Sequence, residues 1–255
     1  MGGAGVVGAP ADASVGLYHV TVPGRLSDID LEAHPGEVVG LAGLEGAGQK
    51  AVIDLLFGRL AAESGEVRVR GLDRAPRNPR EAVSRGIAYV PADRRLDGVM
   101  LEQSVGMNVA EVEIGALAKT GAWATSRAID QRGMSWMQRL GIVADSPRQR
   151  VGRLSGGNQQ KAVLAKWLAI EPAVVLLDDP LRGVDVGAKD EIKQIVRELA
   201  AAGRTVLFRS SELLDYFGVC DRVVVFWSGR IVGERAMADV DEHRLLEAIN
   251  TGVVA

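Results

Sequence analysis

The chain has 255 residues, 47% of them apolar and 25% charged, enough for a real hydrophobic core in one large domain or two small ones. A formal charge of −3 excludes the general basic field that a long nucleic acid requires. No apolar run reaches the roughly 18 residues that cross a bilayer, so any membrane role must be borrowed from a partner.

Met1 to Ser14 is rich in Gly and Ala and lacks the basic start of a secretory signal, so it reads as a flexible leader, with the folded domain at 15–255. From Gly16 to Val39, short apolar stretches alternate with the turn residues Pro23-Gly24 and Pro35-Gly36, which predicts a small β layer. A strand at Glu37 to Ala42 ends in glycines. It is followed by a helix from about Gln49 to Phe57 and by strands at Glu66 to Arg70 and Gly86 to Val90. The middle, Val99 to Val151, shows helical spacing, with Met134, Met137 and Leu140 on one face between Gly133 and Gly141. A helical subdomain is expected at about 99–160. From Leu154 the order is helix, strand (Ala173 to Leu177), helix (Val186 to Ala200), strand (Thr205 to Phe208), helix, and a hairpin through Trp227-Ser228-Gly229-Arg230. This alternation predicts an α/β fold with a parallel sheet. Cys220 is the single cysteine, within the apolar stretch Phe217 to Phe226, and is expected to be a buried thiol in a reducing setting.

Three segments carry chemistry. Gly43-Leu44-Glu45-Gly46-Ala47-Gly48-Gln49-Lys50-Ala51 has the glycine spacing of a phosphate-binding loop between strand and helix, where backbone amides and the helix end face an anion. Two side chains normally complete such a loop, a Lys for the terminal phosphates and a Ser or Thr for Mg²⁺. Here Gln49 and Lys50 hold those positions. One helical step turns a side chain by about 100°, so the Lys50 ammonium is expected to leave the loop's mouth. Leu154-Ser155-Gly156-Gly157-Asn158-Gln159-Gln160-Lys161 places a hydroxyl, two glycines and an amide at the head of a helix, a second anion cradle. The apolar run Val174-Val175-Leu176-Leu177 delivers Asp178 and Asp179 at its carboxyl end, where open α/β sheets place ligands. Paired acids there suit a Mg²⁺ site and a water-orienting group.

With these segments in order, the chain resembles an ATP-binding cassette, more narrowly the C-terminal cassette of the two-cassette ATPases of bacterial simple-sugar importers. Leu154 to Lys161 resembles the cassette signature. Leu177 to Lys189 resembles the Walker B and D-loop segment, and Tyr89 to Gly98 resembles the segment beyond the Q-loop. The resemblance implies a P-loop NTPase fold with a parallel-sheet core, an antiparallel β subdomain and a helical signature subdomain. It also implies ATP and Mg²⁺ as cofactors, with each ATP lying between the Walker motifs of one cassette and the signature of another.

On that basis Ser155, Gly156 and Gly157 would grip nucleotide held by a partner, with Gln159 in the same motif and Asp185 of the D-loop nearby. The chain's own half-site departs from the family at Gln49 and Lys50, at Asp179 in the place of the catalytic Glu, and at Ala92 in the Q-loop. No aromatic residue aligns as an adenine platform near Pro23, and Ser211 stands where many cassettes carry a switch His. The expectation is a degenerate site with little ATPase of its own. The implied partners are a second cassette, either another chain or a missing N-terminal half, together with transmembrane permeases and, indirectly, a periplasmic or extracellular sugar-binding protein. The implied location is the cytoplasmic face of the membrane. A ribosome- or DNA-acting cassette and a non-catalytic scaffold are the alternatives; long coiled coils or basic arms would mark the first. Trp123, Trp136, Trp167 and Trp227 are expected in packing. His19, His34 and His243 are expected to be solvated or hydrogen-bonded, and Arg94, Arg95 and Asp97 to form a charged turn.

Overall fold

The structure is a computed structural model describing residues 15–117 and 125–253; the leader at 1–14 and Trp123 lie outside the described residues. Two sheets form it. Strands β1 (Val15–Val22), β2 (Leu26–Ala33) and β4 (Ser64–Val69) make a three-stranded antiparallel layer in the order β2-β1-β4. Six strands make the central sheet in the order β5-β6-β7-β3-β8-β9, with β3 at Val38–Gly43, β5 at Ile87–Val90, β6 at Val174–Asp178, β7 at Thr205–Arg209, β8 at Arg222–Trp227 and β9 at Arg230–Ala236. All neighbours are parallel except the β8–β9 hairpin.

The parallel strands are buried on both faces, so they read as near-continuous apolar runs. Their period of two splits them between two cores: Val175 and Leu177 of β6 point into one, Val174 and Leu176 into the other. The first core holds the helical side, including α5 (Gly156–Leu168) and α6 (Val186–Ala201). The second holds α1 (Gln49–Leu56) and the antiparallel layer.

The helical region is built from α3 (Val105–Leu117), α4 (Ser126–Leu140) and α5, preceded by one π turn at Arg94–Gly98. Gly133 does not start α4, whose N-cap is Thr125. It lies inside the helix, where a Cβ would come within 2.6 Å of the Gly106 Cα, so it permits the close crossing of α3 and α4. Met137 is buried, whereas Met134 is 41% exposed, so the predicted apolar face is narrower than its spacing implied.

The helix expected after β7 is only a 3₁₀ turn, Leu213–Asp215. The chain there is closed by Gly218 at φ +76° and pinned by Tyr216, whose hydroxyl lies 2.8 Å from the carbonyls of Leu41 and Ser210. Two short helices went unnamed in the sequence reading, α2 (Pro79–Ser84) and α7 (Glu242–Thr251). Their caps, Asn78 before Pro79 and Asp241, are legible signals. Cys220 is buried and free, and burial pushes its thiol pKa up.

His19 finds acidic partners across the β1–β2 hairpin, with its Nδ1 3.0 Å from Asp28 and 3.8 Å from Asp30. The hydrogen bond to Asp28, then the charges of Asp30 and Asp28, raise its pKa above the ordinary imidazole value. NMR titration is expected to show that elevation and its fall in Asp28→Asn; a titration unchanged by the substitution would refute the pairing.

Candidate functional site

The carboxyl ends of β3, β6 and β7 converge where the strand order reverses around β3, the place where open α/β sheets bind ligands. Gly43 ends β3 and opens the glycine loop, with Gly46 at φ +83° and Gly48 at φ +122°, backbone that side chains rarely adopt. Between them Ala47 is buried, and its amide closes a turn onto the Leu44 carbonyl at 2.9 Å. The loop runs into α1 with Gln49, Lys50 and Ala51 as its first turn.

Gln49 is turned inward and 2% exposed. Its Nε2 donates to the carbonyls of Gly43 at 2.9 Å and Leu44 at 2.8 Å, and its Oε1 is buried without a partner. The amide therefore supports the loop from within and turns no cation toward a phosphate. Lys50, expected to turn away from the loop's mouth, reaches toward the carboxyl end of β6. Its Nζ donates to Asp54 at 2.9 and 2.8 Å and lies 3.7 Å from Asp178 Oδ2.

Asp178, expected to hold Mg²⁺, is occupied from several sides. Its Oδ1 accepts from Arg209 Nη1 at 2.7 Å, and its Oδ2 accepts from the Tyr89 hydroxyl at 3.2 Å besides facing Lys50. Asp178 and Arg209 are register partners at the ends of β6 and β7, so the pairing follows from the parallel ladder itself. Arg209 also pairs through Nη2 with Glu45 of the glycine loop. Burial works against the Arg209 charge, yet the Asp178 carboxylate and its hydrogen bond hold the guanidinium pKa above its ordinary value. Sequence reading passed over Arg209; the signal was a cation closing the buried apolar strand Thr205-Val206-Leu207-Phe208.

Asp179 is buried in a left-handed backbone conformation, φ +53°. Its Oδ1 accepts from Ser210 Oγ and from the Ser211 amide, both at 3.2 Å. The carboxylate is thus tied to the segment that follows β7, while the Ser211 residue is exposed beside it. A cleft lined by Gly43, Glu45, Arg209, Ser211 and Tyr216, closed on one side by Leu246 of α7, joins the loop to this segment.

The second cradle lies apart, at the head of α5. Ser155 is the N-cap, its Oγ accepting from the Asn158 amide at 3.4 Å and from Asn158 Nδ2 at 3.0 Å. It is exposed, and Gly156 is half-buried. Gln159, expected on the ligand, turns into the protein instead. It is 3% exposed and its Nε2 donates to the Val151 and Leu154 carbonyls, so it holds the turn from behind.

Asp185 caps α6 through the Ala188 amide at 3.0 Å. It stands beside Gly157, where an added Cβ would come within 2.5 Å of Ala188 Cβ. Arg94 is no mere charged turn: it donates to the carbonyls of Arg182 at 2.8 Å and Gly183 at 3.1 Å, and an added Cβ on Gly156 would meet its Nη2 at 2.8 Å. It thereby fastens the segment beyond β5 to the loop before α6, alongside the second cradle.

Residues 26–182 match the ABC transporter family. Over 230 residues the chain is 41% identical to a putative ribose/galactose/methyl galactoside import ATP-binding protein of Agrobacterium fabrum, covering 89% of this chain and 45% of that protein. Over 231 residues it is 44% identical to a ribose import ATP-binding protein, RbsA 2, of Rubrobacter xylanophilus, covering 90% and 44%. The chain thus spans about half the length of the curated relatives it matches. Two solved structures share the fold. A nucleotide-free ATP-binding cassette from an ABC transporter has a TM-score of 0.74 at 22% identity, over 87% of this chain and 90% of that one. A dimeric post-hydrolysis state of an ATP-binding cassette bound to ADP and Pi has a TM-score of 0.73 at 18% identity, over 88% and 98%. A family match across more than half of its length, with relatives above 30% identity over most of it, establishes that the chain belongs to the ABC transporter family of ATP-binding cassettes.

Proposed function

We propose that the chain is a nucleotide-binding cassette of a sugar importer that lends a sound signature to a partner cassette while its own Walker site binds nucleotide with little or no turnover. The contrast between the two cradles carries this reading. Ser155, Gly156 and Gly157 head a helix with Ser155 exposed, Gly156 half-buried and Gly157 buried, backed by Gln159 and flanked by Asp185 and Arg94. The chain's own loop lacks the lysine at Gln49 and the hydroxyl at Lys50, and its Asp178 is held in an ion pair.

At the partner's nucleotide, the amides of Gly156 and Gly157 and the positive end of α5 supply preorganised positive potential where phosphate charge develops. Mg²⁺ and the attacking water at that nucleotide belong to the partner's residues. In the chain's own site, Asp179 carries a carboxylate one methylene shorter than Glu, about 1.5 Å short, and a misplacement of about 1 Å can cost about a hundredfold in rate. Sugar import is supported by the names of the relatives, which include ribose and galactoside import ATP-binding proteins. Docking on a permease is supported by Leu96, Met100 and Met107, apolar side chains 82%, 38% and 37% exposed around the segment beyond β5. No helix among the described residues is long and apolar enough to cross a membrane, which fits a peripheral cytoplasmic subunit working with permeases and a sugar-binding protein.

ATPase assays of the purified chain test the impaired site. Activity at background with Mg·ATP is expected, and brisk turnover abolished by Asp179→Asn would contradict it. Co-expression with a sugar-importer permease from the same genome should yield a stable complex; co-sedimentation with ribosomes in its place would contradict the transport role.

A further inference from the structure

A magnesium ion at Asp178 does not fit the residues present. The hydroxyl ligand of the glycine loop is replaced by the Lys50 ammonium, which lies 3.7 Å from Asp178 Oδ2. Arg209 takes the other carboxylate oxygen at 2.7 Å, and Tyr89 adds a third donor at 3.2 Å. Arg209 and Asp178 are 6% and 1% exposed, so separating them to admit a hydrated dication would leave buried charges unpaired. Gln49 is neutral, and both its amide hydrogens are spent on Gly43 and Leu44, so it offers a phosphate neither charge nor donor. Lys50 is 42% exposed, and Asp54 holds its ammonium beside Asp178.

We propose that this chain takes a nucleoside triphosphate without a divalent cation, the Lys50 ammonium standing in the place of the metal while Arg209 retains Asp178 as an internal ion pair. The proposal deepens the reading of a nucleotide-holding site with impaired turnover and rests on it. Lys50 can exchange part of its contact with Asp54 for a phosphate oxygen, since an ammonium has three donors and two go to one carboxylate. A point charge of this kind attracts the triphosphate but cannot bind several of its oxygens in fixed geometry as an octahedral metal does. Holding the nucleotide is therefore separated from hydrolysing it in this half-site by the residues themselves.

Isothermal calorimetry of ATP binding to the purified chain, in excess Mg²⁺ and in EDTA, provides the test. The dissociation constant in EDTA should equal that in Mg²⁺ within about threefold, or be tighter. Lys50→Met should weaken binding in EDTA by about tenfold, the size expected for losing a charge-assisted contact, while Lys50→Arg stays within about threefold of the parent. Melting curves of both variants separate lost binding from lost folding. Binding tightened about tenfold or more by Mg²⁺, or insensitive to Lys50→Met in a folded protein, overturns the proposal. No binding in either condition also overturns it, yet leaves the signature's role to be judged separately by the ATPase of the assembled transporter.

Discussion

Placing an aspartate at Gly156 is expected to lower the ATPase rate of the assembled transporter by about two orders of magnitude, the scale for losing a preorganised donor at a developing negative charge. The substitution sets a carboxylate against the partner's phosphates, and its Cβ would meet Arg94 Nη2 at 2.8 Å and the Gly183 carbonyl at 3.2 Å. Arg94 is the end of a flexible side chain and can give way, so the fold should survive, which a melting curve checks. In the same assembly Asp179→Asn of this chain should change the rate by less than about twofold, because that carboxylate is tied to Ser210 and Ser211. A rate untouched by Gly156→Asp, or abolished by Asp179→Asn, would show that hydrolysis runs at the other half-site.

The second large effect concerns stability. Arg209→Met is expected to destabilise the chain by about 3 kcal/mol, since it leaves the buried Asp178 carboxylate without its closest cation, and to lower Tm by roughly 6–12 °C. Lys50 at 3.7 Å keeps part of the compensation, which places the cost at the low end for a broken buried pair. Adding Asp178→Asn should recover most of the loss, because the stranded charge goes with it. Thermal unfolding of the two variants measures both effects. A single variant as stable as the parent would mean that Asp178 is satisfied without Arg209.

The fold was legible because its parallel strands are apolar runs of strand length, and α2, α4, α5, α6 and α7 carry side-chain caps. The strands expected at Glu37 to Ala42 and Ala173 to Leu177 each lie within one residue of β3 and β6 at both ends. The segment after β7 was less legible, because apolar residues pinned over a sheet end by Tyr216 have no period that separates a single turn from a helix.

At the site, local spacing is enough to nominate the glycine loop, the segment at the head of α5 and the two acids after β6, together with Gln49 and Lys50 as departures from the usual loop. The rest depended on neighbours distant in sequence. Asp178 and Arg209 are 31 residues apart and meet only because β6 and β7 are adjacent in register. Arg94 reaches Gly183 across 89 residues. Gln159 and Ser155 lie in one motif, yet one supports the turn from inside and the other rims it, a difference that burial decides and spacing does not.

The division of labour between the two half-sites is tested most directly by counting nucleotides in the closed assembly. After single turnover with labelled ATP, trapping and rapid separation, the expected content is one intact ATP in the cleft of this chain and one ADP in the partner's. Two ADP per assembly, with the second lost in Asp179→Asn, would contradict the account.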